Sequence, residues 1–208
     1  MQDKIKALQQ EFTAGNYTKA AELAQNWRSR LVLDCPKQAA ATRESIVCWL
    51  VGEDLERFEM LDSAQLEIIR QELAYRYRLL QQRYLDRSPQ QAYYNLMTRF
   101  ASLVVLQKIC DRVFFCRDRE ALPAKRDRIL TAVDVLQAAI QELLQSDRHM
   151  QQQIAWITQC TNDPRLRNAL LLASLEEYCL QPIDRQPSIV YLFVNYIYCA
   201  SVRCDAAV

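Results

Sequence analysis

Glycine occurs only twice in this 208-residue chain, at Gly15 and Gly52. That scarcity constrains the fold more than any other feature. Glycine supplies the positive backbone angles of tight hairpin turns, so a sheet-rich fold with many such turns is hard to build here. Phosphate-binding loops of the Walker and Rossmann kinds need several positions that only glycine fits, and the sequence has no such run. Ala, Leu, Gln, Glu and Arg are abundant instead, and these are helix formers. The expected class is all-α.

Length allows one large core or two small ones. Half of the residues are hydrophobic and a quarter charged, the proportions of a soluble globular protein. Lys and Arg number 26 against 25 Asp and Glu, for a formal net charge of +1. No global field draws such a chain toward nucleic acid or an anionic membrane, so either would need a local patch. The first residues, MQDKIKALQQEF, are polar and amphipathic and do not read as a secretory leader. The expected location is cytoplasmic.

The eight cysteines are Cys35, Cys48, Cys110, Cys116, Cys160, Cys179, Cys199 and Cys204. No pair has C-x-x-C spacing, and His149 is the only histidine, so no common structural zinc set is spelled out. The expectation is reduced thiols packed as small apolar fillers, with disulfide and metal roles as the alternatives.

Turn and cap signals divide the chain into about nine helices in a compact bundle. They fall near residues 2–13, 17–33, 38–51, 53–60, 62–85, 89–116, 127–145, 147–160 and 164–180. Ala14-Gly15-Asn16 is a turn, and Asp34-Cys35-Pro36 stops the second helix. Gly52 is expected as an αL stop. Asp62 or Ser63 caps the long helix, Ser88-Pro89 restarts the next, and Ser146-Asp147 and Thr161 to Pro164 repeat that logic. Residues 117–128 are charged and contain Pro123, which suits a solvated linker better than a nucleic-acid arm. Pro182 and Pro187 stiffen a connector to SIVYLFVNYIYCASV. That segment's β-branched and aromatic residues favour a strand, its helical context a buried helix, and a membrane or partner contact is a third reading. It is too short to span a bilayer, which takes about 20 apolar residues. One helical domain over 1–208 is expected, the alternative being a helical-hairpin layer, 1–61, packed on a bundle, 62–204.

In SAQLEIIRQELAYRYRLLQQRYL, Leu66, Ile69, Leu73, Tyr77, Leu80 and Tyr84 recur at helical spacing and form a stripe for burial. The tyrosines are expected in the core or at its boundary with wet hydroxyls. Arg76, Arg83 and Arg87 share another face, flanked by Arg70 and Arg78. This basic ridge is either a solvated face, a protein-partner surface or a phosphate contact. Arg beside Tyr is the composition of interface anchors, which puts a protein partner ahead of nucleic acid.

Catalytic options are thin. His149 lies in SDRHMQQQ at a helix start, with no Ser or Cys partner that spacing can name. Glu72, Glu142, Glu176 and Glu177 belong to no Glu-x-x-His pair of the di-iron kind. No catalytic residue, cofactor or metal ligand is expected, and the chain reads as non-enzymatic. A carrier of an apolar or tetrapyrrole ligand, built on Trp27, Trp49, Trp156 and the cysteines, is the remaining class.

Two resemblances bear on these expectations. AGNYTKAAELAQNWRSRLVLDCP is similar to a tetratricopeptide hairpin: Gly15, Asn16, Tyr17, Lys19 and Ala20 match its turn, and Leu33, Asp34 and Pro36 its close. Its span is about one helical turn too long, Trp27 stands where a small residue is usual, and a solenoid needs several copies where one is visible. An ordinary helical hairpin stands beside that reading. DRSPQQAYYNLMTRF, LLQSDRHMQQQIAWITQCTNDPRLRNALLLASLEEYCLQPI and IVYLFVNY together resemble the helical part of HetZ-related regulators of cyanobacteria, over residues 80–196. Those proteins are associated with control of cell differentiation. The resemblance implies a transcription-linked, non-enzymatic regulator. Such regulators are expected to carry a helix-turn-helix-like portion further along, beyond the stretch that ends at Val208, so no DNA-binding residue carries over.

Overall fold

Helix follows helix in this chain, and four of the eight described helices open on a side-chain cap, at Asp62, Ser88, Asp147 and Asp163. The computed structural model describes residues 18–114, 132–183, 186–187 and 189. Among them lie α1 (Thr18–Asp34), α2 (Ala40–Val51), α3 (Glu56–Glu59), α4 (Ser63–Leu79), α5 (Pro89–Phe114), α6 (Ala132–Ser146), α7 (Arg148–Cys160) and α8 (Pro164–Leu180). A minimal antiparallel ladder follows, Pro182 opposite Pro187 and Ile183 opposite Gln186. The fold is all-α, with eight helices among the described residues against about nine expected. The expected first helix, the linker 117–128 and the ambiguous segment 188–202 lie outside the described residues, save for Ile189.

Asp62 opens α4 with a capping box: its carboxylate accepts the Gln65 N–H at 2.8 Å, and the Gln65 side chain accepts the Asp62 N–H at 2.9 Å. Ser88 Oγ accepts the Gln91 N–H at 3.2 Å, with Pro89 at the first helical position. Asp147 caps α7 through the Met150 N–H at 2.8 Å, and Asp163 receives the Arg165 N–H at 2.9 Å at the start of α8. Each of these starts was legible as a cap followed by a periodic run.

Three local expectations need correction. Gly52 has φ 85° and ψ −177°, a positive φ but not the αL well. The short helix is confined to Glu56–Glu59, because Asp54 holds the Arg57 N–H at 3.2 Å and delays the first turn. The long helix does not run evenly to residue 85. Its α-helical part ends at Leu79, and Leu80–Tyr84 form a π-helical turn closed by the Leu85 N–H on the Leu80 carbonyl at 2.8 Å. The wider turn buries Leu80, Tyr84 and Leu85 together, and Asp86 with φ 62° then reverses the chain.

The chain divides into two compact units, and the division does not fall at residue 61. One holds the described residues to Ala92 with Gln152–Ser174. Its core takes Leu23, Trp27 and Leu31 from α1, Ile46, Trp49 and Leu50 from α2, Phe58 from α3 and Leu73 and Tyr77 from α4, with Ile157 and Leu170 from α7 and α8. Each full Leu or Ile burial contributes about 1.5–3 kcal/mol. Arg28 of α1 grips Glu44 of α2 through two nitrogens, at 3.0 Å and 2.6 Å, which fixes that hairpin. Contact with Glu44 raises the Arg28 pKa further, against the opposing effect of burial. The large Trp27 fits because its ring meets Tyr77 edge-on, with centroids 5.3 Å apart.

The other unit holds Tyr93–Gln151 and the described residues from Leu175 onward. Its core is Leu96, Met97 and Phe100 of α5, Leu136, Ile140 and Leu143 of α6, Met150, Leu175, Cys179 and Ile189.

Candidate functional site

Helix α4 carries the basic side chains that the sequence marks out, and the fold treats them unequally. Arg70 is exposed and lies 3.4 Å from the Glu67 carboxylate one turn earlier. Arg78 is exposed as well. Arg76 is half-buried, its guanidinium carbon 5.5 Å from the centre of the Trp49 ring. Arg83 sits in the π-helical turn, half-buried, with its Nε shielded from solvent. Arg87 is exposed but lies beyond the helix, past the reversal at Asp86. The five arginines therefore do not form one ridge. The wide turn and the chain reversal break the spacing that an even helix would have kept.

Arg57 adds charge beside Arg76. It donates to the Val51 carbonyl at 2.8 Å and lies over the Phe58 ring at 4.5 Å. Burial, and then the nearby Arg76 charge, lower its pKa below the usual arginine value, with Asp54 and Glu72 opposing.

The tyrosines also divide differently from expectation. Tyr77 and Tyr84 are fully buried, and the Tyr77 hydroxyl meets Cys35 Sγ at 3.3 Å rather than water. Burial first, and that contact second, push the Tyr77 pKa upward. Tyr75 faces out at 44 % exposure, on the same side of α4 as Ile68 at 56 %. Leu66 and Ile69, expected in the stripe, are only half-buried. The outward Ile68 was missed because Ile68 and Ile69 are adjacent, and two neighbours on a helix cannot share a face. The outer face of α4 is therefore mixed: Ile68 and Tyr75 supply apolar surface, Arg78 lies one turn beyond Tyr75 beside them, and Arg70 points away from that face.

A second cluster gathers around the single histidine. The His149 ring stacks on Tyr178, with centroids 5.3 Å apart and planes 19° from parallel. The Tyr178 hydroxyl donates to Asp147 Oδ2 at 2.9 Å, while Asp147 Oδ1 caps α7. Burial, then the Asp147 bond, raise the Tyr178 pKa. With one oxygen on a helix start and the other on a phenol, Asp147 ties two segments of its unit together.

All three tryptophans are buried. The Trp49 indole N–H donates to Ser174 Oγ at 3.0 Å, and Trp27 packs on Tyr77, so these two rings serve the core of their own unit. No cluster of three or more His, Cys, Asp and Glu side chains suited to a metal ion occurs among the described residues. No helix among them is long and apolar enough to cross a membrane. The fold and surface define an all-helical protein with an amphipathic outer helix. No family model, curated protein or solved structure matches the chain.

Proposed function

We propose that the chain is a non-enzymatic regulatory module of the cytoplasm that works by protein–protein contact through the outer face of α4. The observation that carries this reading is the exposure of Ile68 and Tyr75 on one helix face, with the exposed Arg78 one turn beyond Tyr75. Tyrosine and arginine are enriched at interface hot spots, and an exposed aliphatic side chain beside them adds apolar area. A partner helix with an apolar seam and flanking carboxylates is complementary to this face. The resemblance to HetZ-related regulators supports a transcription-linked role, in which the partner is another regulatory protein.

Affinity capture tests the proposal. Ile68→Asp with Tyr75→Ser, and separately Arg78→Glu, are expected to lose a partner that the unaltered chain and the exposed-site control Lys37→Glu both retain. Helical circular dichroism should be unchanged throughout. Arg76 is left alone, because its guanidinium packs on Trp49. Equal capture by all variants removes α4 from the proposal. Titration with duplex DNA at two salt concentrations separates the rival reading, since each phosphate contact gives a slope of about −0.9 in log affinity against log salt. Salt-dependent DNA binding that Arg70→Glu, Arg78→Glu and Arg87→Glu abolish would replace a protein partner with nucleic acid.

A further inference from the structure

Cys48 on α2 and Cys160 at the end of α7 are 112 positions apart in sequence, yet the Cys160 thiol donates to Cys48 Sγ at 3.1 Å. Both belong to the same compact unit. About 1 Å of closure separates this contact from a covalent S–S bond of about 2.05 Å. The two thiols differ in access: Cys48 is half-buried, whereas Cys160, like Cys35 and Cys179, is buried. Cys35 is engaged with the Tyr77 hydroxyl instead. An accessible thiol resting on a buried one is the arrangement of an attacking and a resolving cysteine.

We propose that Cys48 and Cys160 form a reversible dithiol–disulfide site whose oxidising substrate is a small-molecule disulfide of the glutathione type. The Cys48 thiolate attacks one sulfur of that disulfide, the reagent's S–S bond breaks, and one thiolate leaves to take up a proton. A mixed disulfide now occupies Cys48. Cys160 then attacks the Cys48 sulfur. The mixed S–S bond breaks, and the second departing thiolate accepts the proton that Cys160 gives up. Two protein thiols are oxidised by two electrons and one reagent disulfide is reduced to two thiols. The order follows from access and from the contact itself. The bond to Cys48 first, and burial second, hold the Cys160 thiol far above its ordinary pKa, so it does not compete as the first nucleophile. Once Cys48 is in a mixed disulfide, its sulfur is the electrophile that the Cys160 sulfur already touches.

Intact mass and peptide mapping of the full chain decide the matter without any variant. The folded protein is incubated with oxidised glutathione, quenched in acid, alkylated and digested. The expected product has the mass of the starting protein less two hydrogens and a peptide pair joined through Cys48 and Cys160, and dithiothreitol reverses it. Cys160→Ala should instead trap one glutathione on Cys48. If the unaltered chain keeps glutathione on Cys48, or if both cysteines are recovered alkylated while the helical signal is intact, the assignment is wrong.

Discussion

The Glu59 carboxylate closes the start of α1, accepting the backbone N–H of Lys19 at 2.8 Å and of Ala20 at 3.2 Å, while the Lys19 ammonium returns to the Glu59 carbonyl at 2.9 Å. The same ammonium reaches the Leu61 carbonyl at 2.9 Å. The first turn of α1 has no acidic residue of its own, so the negative charge that a helix start favours is supplied from forty positions away. Glu59→Ala should cost about 1–2 kcal/mol, as loss of a good cap does, and Glu59→Gln distinctly less because an acceptor oxygen remains. Urea unfolding midpoints of the two variants measure the difference. A Glu59→Ala midpoint equal to that of the unaltered chain would mean that the carboxylate contributes no cap.

Trp49 and Ser174 form a buried pair of a different kind. Ser174 is nearly fully buried, as is the indole whose N–H it accepts. Ser174→Ala leaves that N–H without its partner and should cost about 1–3 kcal/mol. Ser174→Thr keeps the acceptor and adds one methyl, so its cost is that of crowding alone, about 1–3 kcal/mol. Trp49→Phe removes donor and volume together. In a double-mutant cycle the Ser174→Ala change should be nearly silent in the Trp49→Phe background, because no donor is left to orphan. Additive losses would show that the bond contributes nothing.

How far residues announced this architecture depends on how local their physics is. Asp62, Ser88 and Asp147 cap the helices that follow them within three residues, and all were readable in order along the chain. The stripe of Leu73, Tyr77, Leu80 and Tyr84 is buried as its period implies. The π-helical turn was not readable, since it answers to the burial of Leu80, Tyr84 and Leu85 and not to any local signal. Arg83 and Arg87 leave the expected ridge line for that reason: one lies in the wide turn and the other past the end of the helix. The contacts of Lys19 with Glu59, Trp49 with Ser174 and Cys48 with Cys160 join distant positions, and nothing in a single sequence pairs them.

Gly52 tests the backbone. Its φ of 85° with ψ of −177° is a conformation that L side chains rarely adopt, and a Cβ there would lie 3.3 Å from an Arg57 Nη atom. Gly52→Ala should therefore cost about 1–3 kcal/mol in backbone strain alone. Pairing it with Arg57→Ala relieves the contact but not the strain, so the double variant should recover none of the backbone part. Urea unfolding reads both. A Gly52→Ala midpoint equal to that of the unaltered chain would contradict the geometry.

Alkaline pH should unfold the protein earlier than its net charge suggests, because buried thiols and phenols must ionise. Burial, followed by Glu176 and Asp147, pushes Cys179 up to about 12. Cys160, Tyr77 and Tyr178 are also raised. Each folded-state pKa lies above the unfolded one, about 8.5 for a thiol and about 10 for a phenol. Below those values neither state has ionised, and the full stability is present. Above them the unfolded chain releases protons that the folded chain keeps, so stability falls as pH rises until the folded group also ionises. For one thiol the slope approaches about 1.4 kcal/mol per pH unit. For Cys179 the window opens at about pH 8.5 and closes near the folded value of about 12. Urea unfolding between pH 6 and pH 11, with a reductant present, should show this decline above about pH 8.5, and Cys179→Ala should flatten it by one thiol's share while leaving the slope below about pH 8 unchanged. Parallel curves for the variant and the unaltered chain would mean that Cys179 ionises as easily in the folded state as in the unfolded one.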